Sequence, residues 1–164
     1  MTPDPTCQAD GAALPADAPE EAARPRENCA FCRIVAGSAP ADILLADERM
    51  IAFLDVAPLN PGQALLIPRR HHPAFTAMPP GLAGELFTAA NRLAVAIMRA
   101  GGYDGYNLLV ACGPCAGQII THAHIHILPR GPTDGLCLPP HTTPFADDAE
   151  RLAFVAAVRR RLSP

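Results

Sequence analysis

Three histidines, His122, His124 and His126, alternate with Ala123, Ile125 and Ile127. A strand has a side-chain period of two, so this alternation puts the three imidazoles on one face, spread over roughly 13 Å. The apolar partners then point the other way, into a core. The chain must therefore build a sheet whose covered face is greasy here and whose other face carries a row of imidazoles. A solvated face would hold mixed polar residues instead. Three readings remain for the row: hydrogen-bonded surface groups, a metal site, or reactive groups. Just upstream, Gly113-Pro114-Cys115-Ala116-Gly117-Gln118 forms a glycine-rich bend. Such a bend lets backbone N–H groups approach an anion. Bend and imidazoles together predict a phosphate cradle. An imidazole that attacks phosphorus forms a phosphohistidine and splits one hard transfer into two easier ones. A neighbouring histidine can donate hydrogen bonds to the phosphoryl oxygens.

The rest of the pattern predicts the frame around that strand. Residues 29–36 are short and apolar and stop at Gly37, as a small helix or turn would. Residues 42–46 and 49–54 read as a hairpin about Asp47-Glu48, and 63–68 as a strand ended by Pro68. Pro79 and Pro80 suit a first helical turn, after which Leu82, Leu86, Ala90, Leu93 and Ile97 recur at helical spacing. Gly101 and Gly102 end that helix. Strands follow at 106–111 and 122–128. A last helix from about Asp147 has acids early and Arg159, Arg160 and Arg161 late, the order that suits a helix dipole. The expected fold is α+β: a five-stranded, mainly antiparallel sheet with one long helix and shorter terminal ones.

Composition narrows the function. A length of 164 residues suits one domain, and 49% hydrophobic content supports a core. A net charge of −3 argues against nucleic-acid binding by bulk electrostatics. Trp is absent and aromatics are 5%, which leaves little for base stacking. No apolar run approaches ~18 residues, so no membrane span is expected. The N-terminus has no basic start and no apolar stretch of a secretory signal, and a cytoplasmic protein is expected. Residues 1–27 carry five Pro and six acids against two Arg, a net of −4. They hold too few large apolar groups to offset the entropy of ordering and read as a disordered leader. The folded domain is expected from Asn28 to Pro164.

Cys29-x-x-Cys32 has the spacing of a thiolate pair on Zn²⁺, which wants four tetrahedral N or S ligands. Two buried free thiols are the plain alternative. Cys112-Gly-Pro-Cys115 looks like the thioredoxin redox motif, yet no Trp precedes it and the histidine strand follows it. A zinc site of Cys29, Cys32, Cys112 and Cys115 is a further alternative. Cys7 and Cys137 support no assignment.

The stretch AGQIITHAHIHILPR resembles the defining motif of the histidine triad (HIT) superfamily, His-φ-His-φ-His-φ-φ, where φ is apolar. The resemblance extends through FLDVAPLNPGQALLIPRRH at 53–71 and NCAFCRIVAGSAPADILLADE at 28–48. It covers about residues 28–130, with a weaker match in the last helix, and is nearest the bacterial branch close to the nucleoside phosphoramidases. It implies hydrolysis of, or nucleotidyl transfer from, a nucleoside phosphoramidate or dinucleoside polyphosphate. His124 would be the nucleophile on the α-phosphate, His126 a phosphate contact and Gln118 a phosphate or leaving-group ligand. Phe53 would pack on the nucleobase, with a plain core residue as the alternative. Asp55 would accept from the ribose hydroxyls. The resemblance also implies a structural zinc on Cys29, Cys32, His71 and His122, with His72 the rival of His71, and a homodimer joined through the long helix and a strand edge. Three positions depart from the family pattern. Gln63 stands where a His is usual, Ile119 where Ser or Thr is usual, and Ala111 where Asn is common. They favour a second reading, a nucleotide-binding module with little catalysis. A zinc or redox protein without nucleotide chemistry is a third.

Overall fold

The computed structural model describes residues 25–136 and 144–162. Most of the acidic leader, and Cys7 and Cys137, lie outside the described residues. A short helix α1 (Ala30–Val35) leads into the hairpin β1 (Ile43–Ala46) and β2 (Met50–Leu54), then β3 (Ala64–Pro68). The long helix α2 (Pro80–Gly101), β4 (Gly105–Leu109), β5 (Ile125–Arg130) and a last helix α3 (Asp148–Leu162) follow. The sheet order is β1-β2-β3-β5-β4 and each neighbouring pair is antiparallel. This is the α+β architecture that the sequence pattern predicts.

Two apolar layers flank the sheet. On one face, Leu82, Leu86, Ala90 and Ala94 of α2 form a row at every fourth residue and meet Ala52, Ala64, Leu66, Ala123, Ile125 and Ile127. The small alanines late in the row let the helix lie close to the strands. Gly102, at φ 68°, ends the helix in the left-handed conformation. On the other face, Phe31 and Cys32 of α1, with Cys29 just before it, pack with Ile51, Phe53, Leu65 and Ile67. Helix α3 buries none of its residues and leaves Leu152, Phe154 and Leu162 exposed.

The histidine strand begins later than the sequence pattern predicts. β5 pairs with β3 as Ala64↔Ile127, Leu65↔His126 and Leu66↔Ile125. Continuing that register sets Pro68 opposite Ala123, and proline has no N–H to donate. The ladder therefore stops, and Ala123 N–H donates instead to the His72 carbonyl at 2.6 Å. His122 and His124 precede the regular strand, yet the alternation survives. Ala123, Ile125 and Ile127 are buried under α2, while the rings of His122 and His124 lie against Phe31 in the opposite layer.

Candidate functional site

The histidine row is split between two environments. At one end, the Cys29-x-x-Cys32 turn is carried by α1, His71 follows β3, and His122 enters toward β5. Ligand atoms of Cys29, Cys32, His71 and His122 all lie within 4.8 Å of one another. His122 Nδ1 is 3.5 Å from Cys29 Sγ and 3.7 Å from Cys32 Sγ, and His71 Nδ1 is 3.3 Å from Cys32 Sγ. In a tetrahedral zinc site the sulfur–nitrogen edge is about 3.6 Å, from Zn–S of about 2.3 Å and Zn–N of about 2.05 Å. The observed spacings bracket that edge, so the donor set fits the metal. His122 Nε2–H donates to the Pro68 carbonyl at 2.9 Å, which leaves the Nδ1 lone pair facing the thiols. Burial, followed by neighbouring His71, His124 and His72 and opposed by the Pro68 bond, pushes His122 down to about 4. The ring thus stays neutral, as a ligand must. Burial likewise lowers His71 and raises the Cys32 thiol. His71 Nε2 is buried without a partner.

His72 stands outside this cluster, with Nδ1–H donating to the Ala77 carbonyl at 3.2 Å. Cys112 and Cys115 stand outside it too. Among the described residues the Cys29, Cys32, His71, His122 group is the one set that could hold a metal, which removes the alternative built on two CxxC pairs. Cys112, half-buried, has its Sγ 4.0 Å from Thr76 Oγ1, and Cys115 is exposed.

At the other end, His124 and His126 line a cleft of about 340 Å³ with Phe31, Phe53, Asp55, Ile119 and Ile120. His124 is buried, and its Nδ1–H donates to the His122 carbonyl at 2.7 Å. Its Nε2 lone pair is therefore free. The His124 and His126 rings meet edge to face with centroids 4.8 Å apart, and Phe31 braces His124 at 5.3 Å. Burial, then His124, lowers the pKa of His126, while Asp55 opposes the shift. Asp55 Oδ1 accepts from the Ala57 N–H at 3.0 Å, and Oδ2 accepts from Gln63 Nε2 at 2.9 Å. Phe53 lines the cleft and also belongs to the core, edge-on to Phe31.

Gln118 is the predicted residue that the fold does not bring to the cleft. Its Oε1 accepts from the Gly113 N–H at 2.9 Å, and its Nε2 donates to the carbonyls of Pro73 and Ile120 at 2.6 and 3.0 Å. The whole amide is spent on holding the loop. That loop bends through Gly113 at φ 91° and Gly117 at φ 84°, backbone conformations that residues bearing a Cβ rarely adopt. The neighbours of Gln118, namely Gly117, Ile119 and Ile120, form the wall instead. Sequence reasoning missed Phe31, although its place between the two cysteines sets it beside the candidate metal ligands. It also treated Gln63 as a mere departure.

A five-stranded antiparallel sheet with one long covering helix and a row of three histidines is the histidine triad architecture. The HIT domain family model matches residues 36–133, and the chain belongs to that family. It is 36% identical over 150 residues to adenylylsulfatase HINT3 of Arabidopsis thaliana, covering 89% of this chain and 75% of that protein. Adenosine 5'-monophosphoramidase hnt1 of Schizosaccharomyces pombe is 33% identical over 103 residues, covering 63% of this chain and 74% of that one. A Zn-bound histidine triad protein from Mycobacterium smegmatis superposes with a TM-score of 0.65 at 31% identity, covering 82% of this chain and 96% of that chain. No described helix is long and apolar enough to cross a membrane.

Proposed function

We propose that the protein hydrolyses a nucleoside phosphoramidate or dinucleoside polyphosphate at the α-phosphate, through a nucleotidyl group on His124. The observation that carries this reading is the 2.7 Å bond from His124 Nδ1 to the His122 carbonyl. It fixes the proton on Nδ1 and leaves Nε2 as a nucleophile at the cleft. Nε2 bonds to the α-phosphorus while the bond from phosphorus to the leaving amine or phosphate breaks. The leaving group takes a proton from solvent as it departs, and the attacking water of the next step returns one to solvent. Water then attacks the same phosphorus, the P–N bond to His124 breaks, and the nucleoside monophosphate is released. His126 donates to the phosphoryl oxygens, Asp55 receives the ribose hydroxyls and Phe53 meets the base. Gln118 acts through the loop it holds. The names of two relatives, an adenylylsulfatase and a phosphoramidase, support cleavage at a nucleotide phosphorus.

Cys29, Cys32, His71 and His122 would hold the zinc. The ion supplies cross-linking, tying α1 to the start of the histidine row, and leaves His124 and His126 to substrate. We further infer a cytoplasmic homodimer. β4 is an edge strand of the sheet, and Phe87 of α2 is exposed. Light scattering at micromolar concentration checks the dimer.

The test is incubation with labelled adenosine phosphoramidate and diadenosine polyphosphates, acid-free trapping of the adduct and peptide mapping. A label on His124 supports the reading. A label on another residue refutes it. Tight nucleotide binding without turnover selects the binding-module reading, which the buried, non-ionising Gln63 beside His126 favours.

A further inference from the structure

We infer that Gln63 is a positioning residue that fixes His126 as the tautomer with its proton on Nε2 and ties that donor to Asp55. The inference rests on the hydrolase reading only for its catalytic consequence. Gln63 is 3% exposed, and every polar atom of its side chain is committed. Its Oε1 accepts the Leu59 N–H at 2.7 Å. That bond settles which end of the amide is oxygen. Nε2 therefore carries two protons. One goes to Asp55 Oδ2 at 2.9 Å, and the other faces His126 Nδ1 at 3.3 Å.

A ring nitrogen opposite an N–H donor must be the acceptor. The His126 proton then sits on Nε2, the nitrogen left for the cleft. A protonated ring would set N–H against N–H. The other groups around the ring are His124, at 4.8 Å between centroids, and the Asp55 carboxylate, 3.9 Å from Nδ1. Asp55 would favour Nδ1–H, but Gln63 has already engaged that Oδ2 at closer range. One amide thus joins the carboxylate assigned to ribose and the imidazole assigned to phosphate. A histidine, usual here in the family that the sequence resembles, can present either tautomer or a charge. Glutamine presents one fixed donor face at every physiological pH.

The measurement is the ¹⁵N spectrum of the imidazoles in substrate-free protein at pH 7.5, with the His126→Asn spectrum for assignment. Wild type should show His126 protonated at Nε2 and bare at Nδ1. Gln63→Leu removes the donor and should give both tautomers. Gln63→Glu places an acceptor there and should move the proton to Nδ1. The leucine variant, which adds no charge beside Asp55, keeps the test open if the glutamate variant does not fold. An Nδ1–H ring in wild type overturns the inference. An unchanged Nε2–H tautomer in both variants also overturns it. With adenosine phosphoramidate, Gln63→Leu should lower kcat about tenfold and change KM less than about twofold, the split expected for a donor used in the transition state. A wild type inert toward nucleotides would defeat the hydrolase reading and leave the tautomer result standing, because no substrate enters that measurement.

Discussion

His122 and His126 come from the same motif, four residues apart, and their surroundings give them opposite work. His122 is fully buried, faces two thiols and has its far nitrogen tied to the Pro68 carbonyl. His126 is part-exposed, opens on the cleft and has its near nitrogen tied to a neutral amide. His124, between them, borrows from each: a backbone carbonyl on one nitrogen and the cleft before the other. The period of a strand aligns imidazoles, but their chemistry is set by what each second nitrogen meets. A dry end with soft donors suits a metal, and an open end with fixed donors suits an anion.

The largest expected effect breaks the comparison at its centre. His124→Ala should lower turnover of adenosine phosphoramidate by about 10³-fold or more, as removal of a nucleophile does. Nucleotide binding should persist through Asp55 and Phe53. His126→Ala should lose less rate and weaken binding as well. Equal losses in the two variants would erase the proposed division between nucleophile and donor.

The metal end comes next. Protein purified without chelator should hold about one zinc per chain, the stoichiometry of a closed four-ligand site. Cys32→Ser should lose the metal, and a loss of about 4 kcal/mol corresponds to roughly 10 °C in Tm for a chain of this size. His72→Ala should retain the metal, because that ring lies outside the cluster. Zinc retained by His71→Ala would contradict the ligand set.

A smaller effect comes from acid. Burial holds the folded pKa of His126 below its ordinary value of 6.5. Below that value the unfolded chain binds more protons at this ring than the folded one does, so stability falls as pH falls. Melting curves of the zinc-loaded protein should shift downward from pH 7 toward pH 5, and His126→Asn should flatten part of that slope. An unchanged slope in the variant would show that His126 does not contribute. The smallest effect is expected from the leader. A chain starting at Glu27 should melt within about 2 °C of the full one, because the removed residues hold few apolar groups to bury. A larger drop would show that the leader docks on the domain.

Periodicity made much of this molecule legible in the sequence. Leu82, Leu86 and Ala90 marked the covered face of α2, and the histidine alternation separated Ala123, Ile125 and Ile127 from the imidazoles. The cysteine pair with His71 and His122 was legible through the family resemblance, and the fold brings those four together. Three particulars were not legible, because they depend on contacts between segments far apart in sequence. Pro68 ends the β3–β5 ladder early, because the register sets it opposite Ala123. Gln118 turns into its own loop, because the carbonyls of Pro73 and Ile120 lie within reach of its amide. Gln63 meets His126 across 63 positions of chain. The sequence by itself determined which side chains share a face, since that follows from backbone geometry alone. Only the tertiary structure decided which nitrogen of His122 and of His126 carries a proton, since that depends on the Pro68 carbonyl and the Gln63 amide that distant chain delivers to the two rings.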